Sequence, residues 1–139
     1  WGRPDMAPML FAKAAINNEK IQVFNHGNQK RDFTHVSDIV DSVFLLSNCF
    51  NEKIHKAELV NIGNGSPTKL LDFISTIEKQ ISLKLRKDFI DAQLGDVEET
   101  YADDTKLKLL TGERLKKGLD EGISEFLKWY KTYYENFNN

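Results

Sequence analysis

Cysteine is nearly absent from this chain, Cys49 being the single one. An internal disulfide is therefore excluded, and one thiol among three scattered histidines, His26, His35 and His55, makes no metal-ligand spacing. The lone thiol suits a reducing compartment and reads as inert packing near the end of a helix. An excess of charge of one sign is lacking too: 19 Lys and Arg against 21 Asp and Glu leave a net charge of -2. That balance offers no global field to draw in nucleic acid or an anionic membrane surface, so any anion site is local. No apolar run approaches the ~18 residues of a membrane span, and no signal-peptide pattern is present. A Tyr-x-x-x-Lys pair is missing as well, because Thr105, Tyr134, Phe137 and Asn138 stand four places after Tyr101, Tyr130, Tyr133 and Tyr134. Gly63-Asn64-Gly65 lacks the third glycine and the βαβ context of a dinucleotide fingerprint.

What is present is the composition of a globular chain, with 40% apolar and 29% charged residues, which argues against disorder. There is no internal repeat or long linker, so residues 1–139 are expected to form one packed domain. Helical and extended signals alternate, giving an α/β expectation of mixed helices and short strands. Asp5 is placed to cap a helix reaching about residue 17, with Pro8 in its first turn. Residues 21–24 read as a strand running into an Asn25-His26-Gly27-Asn28 turn, and 32–35 as a second extended piece. Val36, Ile39, Val40, Val43, Phe44 and Leu46 share one stripe, predicting an amphipathic helix over 37–49. A strand at 59–62 follows, then a helix over 67–82 with Ser66 as cap and Pro67 in its first turn. A strand within 83–89, a short helix at 104–110 capped by Asp103-Asp104, and a final helix over 119–136 complete the expectation. The last presents Leu119, Ile123, Phe126, Leu127, Tyr130 and Tyr134 on one face.

Some residues stand out for their chemistry. Arg31 follows a strand and a glycine-containing loop and precedes an amphipathic helix, which holds a guanidinium at the edge of ordered structure. Its planar fork suits bidentate phosphate binding, although pairing with Asp32 or Asp38 is the plainer alternative. Arg3 lies just before the first helix, where backbone N–H groups add to its positive field and favour a carboxylate or phosphate; neutralising Asp5 is the alternative there. Phe24, taken alone, belongs to the core, and Asp96 and Thr100 read equally well as turn residues after Gly95.

Three segments together carry a resemblance: Gly2-Arg3-Pro4-Asp5-Met6-Ala7-Pro8-Met9, Arg31-Asp32-Phe33-Thr34-His35-Val36, and Gly95-Asp96-Val97-Glu98-Glu99-Thr100-Tyr101-Ala102-Asp103. They resemble the C-terminal part of NAD-dependent nucleotide-sugar epimerases of the extended short-chain dehydrogenase/reductase family, most of all the UDP-glucuronate 4-epimerases. Residues 61–67 and 122–134 fit in the same order, so the likeness covers nearly the whole chain. The resemblance implies a Rossmann-type parent whose N-terminal, NAD-binding half is absent here, an expectation in keeping with a start at Trp1. NAD would then be a cofactor of the full-length parent and not of this chain alone, and catalysis would need the other half.

The same resemblance implies roles. Arg31 is expected at the UDP pyrophosphate and Arg3 near the sugar's C6 carboxylate, with Asp5 and Met6 lining the sugar and phosphate region. Gln22, Val23 and Phe24 would meet the uracil, Asp96 the ribose hydroxyls, and Thr100 the sugar. Gln93 stands where UDP-galactose epimerases carry an arginine, which argues against that substrate and leaves more phosphate charge to Arg31. No residue of the chain is expected to be catalytic. A UDP-sugar is the expected partner, with neither nucleic acid nor membrane. The parent is expected in the cytoplasm, in polysaccharide biosynthesis, and as a homodimer through the absent half. The strand at 59–62 and the helix at 37–49 would expose apolar surface meant for that half, so this chain is expected to be marginally stable or to self-associate. The rivals are another nucleotide-sugar enzyme such as a dehydratase, a non-catalytic binding module, and a scaffold.

Overall fold

The first helix, α1, spans Ala7–Asn17, an alanine-rich stretch with a proline in its first turn and only one charged side chain, Lys13. Its cap is Met6 rather than Asp5, and the Met6 side chain makes no cap hydrogen bond; the early proline already removes one orphan donor. Asn18 ends the helix at φ 54, and Glu19 N–H reaches back to the Ala14 carbonyl at 2.9 Å. This is from a computed structural model, which describes residues 5–49, 57–112 and 117–135. Arg3 lies outside the described residues.

The remaining elements are β1 (Lys20–Val23), β2 (Lys30–Arg31), α2 (Val36–Cys49), β3 (Thr68–Lys69), α3 (Leu70–Ile81), β4 (Arg86–Phe89), α4 (Thr105–Thr111) and α5 (Leu119–Glu135). The α/β expectation holds. Particular boundaries do not. Phe24 leaves the strand and opens a short 3-10 turn through Gly27, and pairing falls on 30–31 instead of 32–35. Residues 59–62 join no strand among the described residues. Ser66 is not a helix cap: Thr68 and Lys69 are extended, and α3 starts at Leu70 with Lys69 in the cap position. Asp103, by contrast, does serve the start of α4, its Oδ1 accepting the Thr105 N–H at 3.0 Å. Thr105's hydroxyl and N–H hold the Asp103 carboxyl below its ordinary pKa.

The chain divides into two compact units. The first comprises Trp1–Gln29, Lys69–Glu98 and Leu119–Asn139. Here β1 and β4 run parallel, Lys20 beside Arg86 and Val23 beside Phe89. Side chains alternate along β1, which buries Ile21 and Val23 and exposes Lys20 and Gln22. The apolar stripe of α3 supplies Leu70, Phe73, Ile74 and Ile77; Ile74, Ile77 and Val23 are fully enclosed. Phe73 meets Phe11 of α1 at 6.3 Å between ring centroids, and Met9 and Ala12 pack against Tyr130 of α5 with Phe126 and Leu127 alongside. Each such side chain withdrawn from water contributes roughly 1.5–3 kcal/mol.

Among the described residues of this unit one carboxylate is buried. Glu78 accepts the Leu85 N–H at 2.9 Å and bonds Lys84 at 3.0 Å and Lys87. Burial alone would raise its pKa, but the hydrogen bonds from Lys87, Lys84 and Leu85 outweigh it, and the carboxyl titrates below the ordinary glutamate value.

The second unit comprises Lys30–Thr68 and Glu99–Gly118. Its helices α2 and α4 pack together, with Leu107 and Leu110 buried. Cys49 Sγ donates to the Leu110 carbonyl at 3.3 Å, a structural use of the thiol. The face of α2 turned inward is polar, since Asp38 and Ser42 are buried and Asp38 accepts the Lys117 N–H at 2.8 Å. Its apolar stripe faces outward: Val36, Val40, Val43 and Phe44 are between 54% and 68% exposed.

Candidate functional site

In the first unit, the parallel pair β1–β4 aims the C-terminal ends of both strands at one edge, the place where open α/β sheets bind ligands. Ile90 N–H donates to the Val23 carbonyl at 3.1 Å, and His26 N–H to the Ile90 carbonyl at 3.3 Å, which extends the pairing beyond the strands. Asn25, His26 and Gly27 then take three successive positive φ values, 47, 50 and 79°. Two of those are non-glycine residues in a sparsely populated region, a cost carried by the surrounding structure. Gly27 itself must be small, because a Cβ there would run into the Leu71 side chain of α3.

Gln22 is exposed on β1 and Phe24 is half-buried at the edge. Val23 is core, fully enclosed, with its carbonyl taken by Ile90. On the other strand's continuation, Gly95 at φ 91° permits a turn closed by Asp96 N–H to the Gln93 carbonyl at 3.1 Å. Gln93 and Asp96 are both exposed, as are Asp5 and Met6. The structure therefore brings Phe24 and the Gln93–Asp96 turn onto continuations of paired strands. It also brings in Gln29, which sequence reasoning passed over. This amide is buried and donates to Asp96 Oδ2 at 3.1 Å.

The second unit is organised around Asp32, the other residue passed over. Its Oδ2 accepts the Gly65 N–H at 2.9 Å and the Ala102 N–H at 3.0 Å, and its Oδ1 the Ser66 N–H at 3.4 Å. Its own N–H donates to Thr100 Oγ1 at 3.0 Å. One aspartate thus ties three segments far apart in sequence. Thr34 adds a further tie by accepting the Asn64 N–H through Oγ1 at 3.0 Å. Lys30 runs beside Glu99, with a backbone bond from Thr100 N–H to the Lys30 carbonyl at 3.2 Å and a side-chain ion pair at 3.1 Å. Arg31 is half-buried on this ribbon, and its Nη1 donates to the Lys30 carbonyl at 2.8 Å. Asp32, Thr34, Gly63 and the Thr100–Ala102 stretch line a small open cleft. A carboxylate-centred turn of this kind is detectable in sequence only as an Asp between two extended segments, which does not name its partners.

Gly63-Asn64-Gly65 does not fit the phosphates of a dinucleotide. The Gly65 and Ser66 amides that would cradle an anion are committed to Asp32, and the space a Cβ would need at Gly63 is filled by Ala102. Among the described residues no three His, Cys, Asp or Glu side chains gather as a metal site, and no helix is long and apolar enough to cross a membrane.

Residues 3–63 match the NAD dependent epimerase/dehydratase family. An uncharacterised protein of Methanocaldococcus jannaschii is 42% identical over 130 residues, covering 94% of this chain and 39% of its own length. A probable UDP-glucuronate 4-epimerase of Rhizobium meliloti is 32% identical over 149 residues, covering 96% of this chain and 44% of its own. Among solved structures, UDP-glucuronic acid 4-epimerase from Bacillus cereus, in complex with UDP-glucuronic acid and NAD, superposes with a TM-score of 0.86. That match is at 28% identity and covers 95% of this chain and 41% of that one. The chain thus spans under half the length of these relatives; over residues 3–63 it matches the NAD dependent epimerase/dehydratase family, and along nearly its whole length it is similar to UDP-glucuronate 4-epimerases of the extended short-chain dehydrogenase/reductase class.

Proposed function

We propose that the chain is the C-terminal, UDP-sugar-binding portion of an NAD-dependent UDP-glucuronate 4-epimerase, and that it holds UDP-glucuronate or UDP-galacturonate for chemistry carried by an N-terminal half. The observation that supports this most is alignment along nearly its whole length with proteins named for that activity. The Bacillus cereus neighbour, solved with UDP-glucuronic acid and NAD, points the same way. NAD belongs to the longer protein in this reading, because the only Gly-x-Gly turn here spends its amides on Asp32. The longer protein is a cytoplasmic homodimer supplying sugars for polysaccharide synthesis.

The roles are those the family resemblance implies, and each is chemistry the residue can perform. Arg31 takes the pyrophosphate through its guanidinium fork, and Arg3 the C6 carboxylate, with Asp5 and Met6 beside the sugar. Gln22 and Phe24 meet the uracil, with Val23 contributing as the buried residue that fixes their strand. Gln93 accommodates a phosphate oxygen as a neutral donor, Asp96 accepts from the ribose hydroxyls, and Thr100 adjoins the sugar. Holding the non-reacting nucleotide in place is how such a half contributes to rate, since remote binding energy orients the reacting carbon.

Calorimetry with UDP-glucuronate and UDP-glucose tests the assignment. Arg31→Ala weakens both ligands about ten- to a hundredfold, the worth of one charge-assisted hydrogen bond. Arg3→Ala weakens only the uronate. Equal losses from Arg3→Ala remove the case for a uronate, and C4 epimerisation by the isolated chain with added NAD overturns the division of labour.

A further inference from the structure

We propose that Gln29 is a positioning residue for nucleotide binding: it fixes Asp96 in the orientation that accepts the ribose hydroxyls. This rests on the nucleotide reading of Asp96 given above and adds the residue through which that reading works. Asp96 is an exposed aspartate on a turn, and such a side chain ordinarily samples several rotamers that a ligand must freeze. Gln29 removes much of that freedom. Its side chain is buried and donates to Asp96 Oδ2 at 3.1 Å.

The amide is itself held from both sides. Its backbone carbonyl accepts the Leu70 N–H at 2.9 Å, at the first residue of α3. Two residues before it, Gly27 lies so close to Leu71 that no side chain fits, which seats the turn on the same helix. The donor therefore reaches Asp96 from a fixed frame, and the turn at Gly95 brings the acceptor from the other side. One contact to Oδ2 uses only part of a carboxylate's capacity of about four acceptor positions, so a diol can still bind. Because a primary amide donates through two N–H bonds and carries no charge, it orients the carboxylate without neutralising it. A lysine in that place would orient it too, at the cost of its pull on the ligand.

The experiment uses the chain and two ligands, UDP and 2′-deoxy-UDP, by calorimetry. Gln29→Met keeps the buried volume and removes the donor; Asp96→Ala removes the acceptor; the double variant completes a cycle. The unaltered chain is expected to prefer UDP about tenfold or more, as the loss of one hydrogen bond to a charged group requires. Asp96→Ala brings the ratio near one. Gln29→Met lowers the preference about two- to tenfold, the penalty of freezing a mobile side chain, and leaves 2′-deoxy-UDP affinity within about twofold. In the double variant Gln29→Met adds nothing further. Amide exchange at Leu70 reports whether the turn stays seated on α3. Equal weakening of both ligands by Gln29→Met makes Gln29 merely structural, and an unchanged ratio shows that it does not orient Asp96; either overturns the proposal. A chain that binds UDP without any ribose preference overturns it through Asp96, and a chain that binds no UDP removes the nucleotide reading itself.

Discussion

Replacing Asp32 by alanine should unfasten the second unit more than any other single side-chain loss in it. The carboxylate accepts two half-buried amides, Gly65 at 2.9 Å and Ala102 at 3.0 Å, and a longer, exposed one from Ser66 at 3.4 Å. A hydrogen bond to a charged group contributes about 1.5–3 kcal/mol, and water recovers most of the exposed bond and some of the others. The expected loss is therefore about 2–4 kcal/mol, a large share of the 5–15 kcal/mol of a typical domain. Asp32→Asn should cost less, about 1–2 kcal/mol. Its single carbonyl oxygen can replace Oδ2 and keep the two short bonds, while the amide group meets the Ser66 N–H donor to donor. Urea titration followed by far-ultraviolet circular dichroism measures the totals, and amide hydrogen exchange resolved by residue measures the cause. Gly65 and Ala102 should lose protection together in Asp32→Ala, although they stand far apart in sequence. Stability within about 0.5 kcal/mol of the unaltered chain, or protection lost at one of the two amides alone, would refute the view of Asp32 as a shared tie.

Glu78 should make the first unit acid-sensitive: with its folded pKa depressed, the stabilisation is complete above the ordinary value of 4.5 and is lost as pH falls through the folded value. Glu78→Gln should cost about 1–3 kcal/mol at neutral pH and flatten that acid limb, seen in thermal unfolding from pH 7 to 3. Gly63→Ala should destabilise by about 1–3 kcal/mol, because the added methyl collides with Ala102, and chemical denaturation measures it; a neutral substitution contradicts the close approach. Val40→Lys with Phe44→Glu should leave the fold intact, since both side chains are more than half exposed, and should suppress self-association in sedimentation at micromolar concentration. A monomer before and after the change would mean that the outward stripe of α2 is harmless.

The helices were legible in the sequence because their stripes repeat at the helical period: α3 buries Leu70, Phe73, Ile74 and Ile77, and α5 buries Ile123 and Tyr130 of its apolar face. Periodicity also found the stripe of α2 but could not say which way it turns. Asp38 and Ser42 go inward there because Asp38 has a partner in the Lys117 amide, a contact between residues distant in sequence. Capping signals misled for a related reason. Ser66-Pro67 looks like a helix start, yet the Ser66 amide is drawn to Asp32, and the chain stays extended until Leu70. The candidate site was legible as a set of motifs and not as a geometry. Arg31, Asp96 and Thr100 sit in recognisable strings, whereas the contacts that hold them, Gln29 to Asp96 and Asp32 to Thr100, join positions whose spacing follows no local rule.

Neither compact unit is a continuous length of chain: the polypeptide passes from one to the other at Gln29–Lys30, Thr68–Lys69, Glu98–Glu99 and Gly118–Leu119. Shuttling of this kind has a kinetic meaning. Strand β1 leaves the ribosome before its partner β4, which emerges only after the whole first stretch of the other unit has been synthesised. Until then Ile21 and Val23 have no parallel neighbour to cover them. Closing so long an intervening loop costs roughly 2–3 kcal/mol more than closing a tight hairpin, at about 0.6 kcal/mol per doubling. Assembly should thus be slow for a chain of this size, with a high mean separation between contacting residues. It also makes the two units inseparable in evolution and in the laboratory, since no single cut releases either one whole, and an insertion that delays β4 lengthens the exposure of β1.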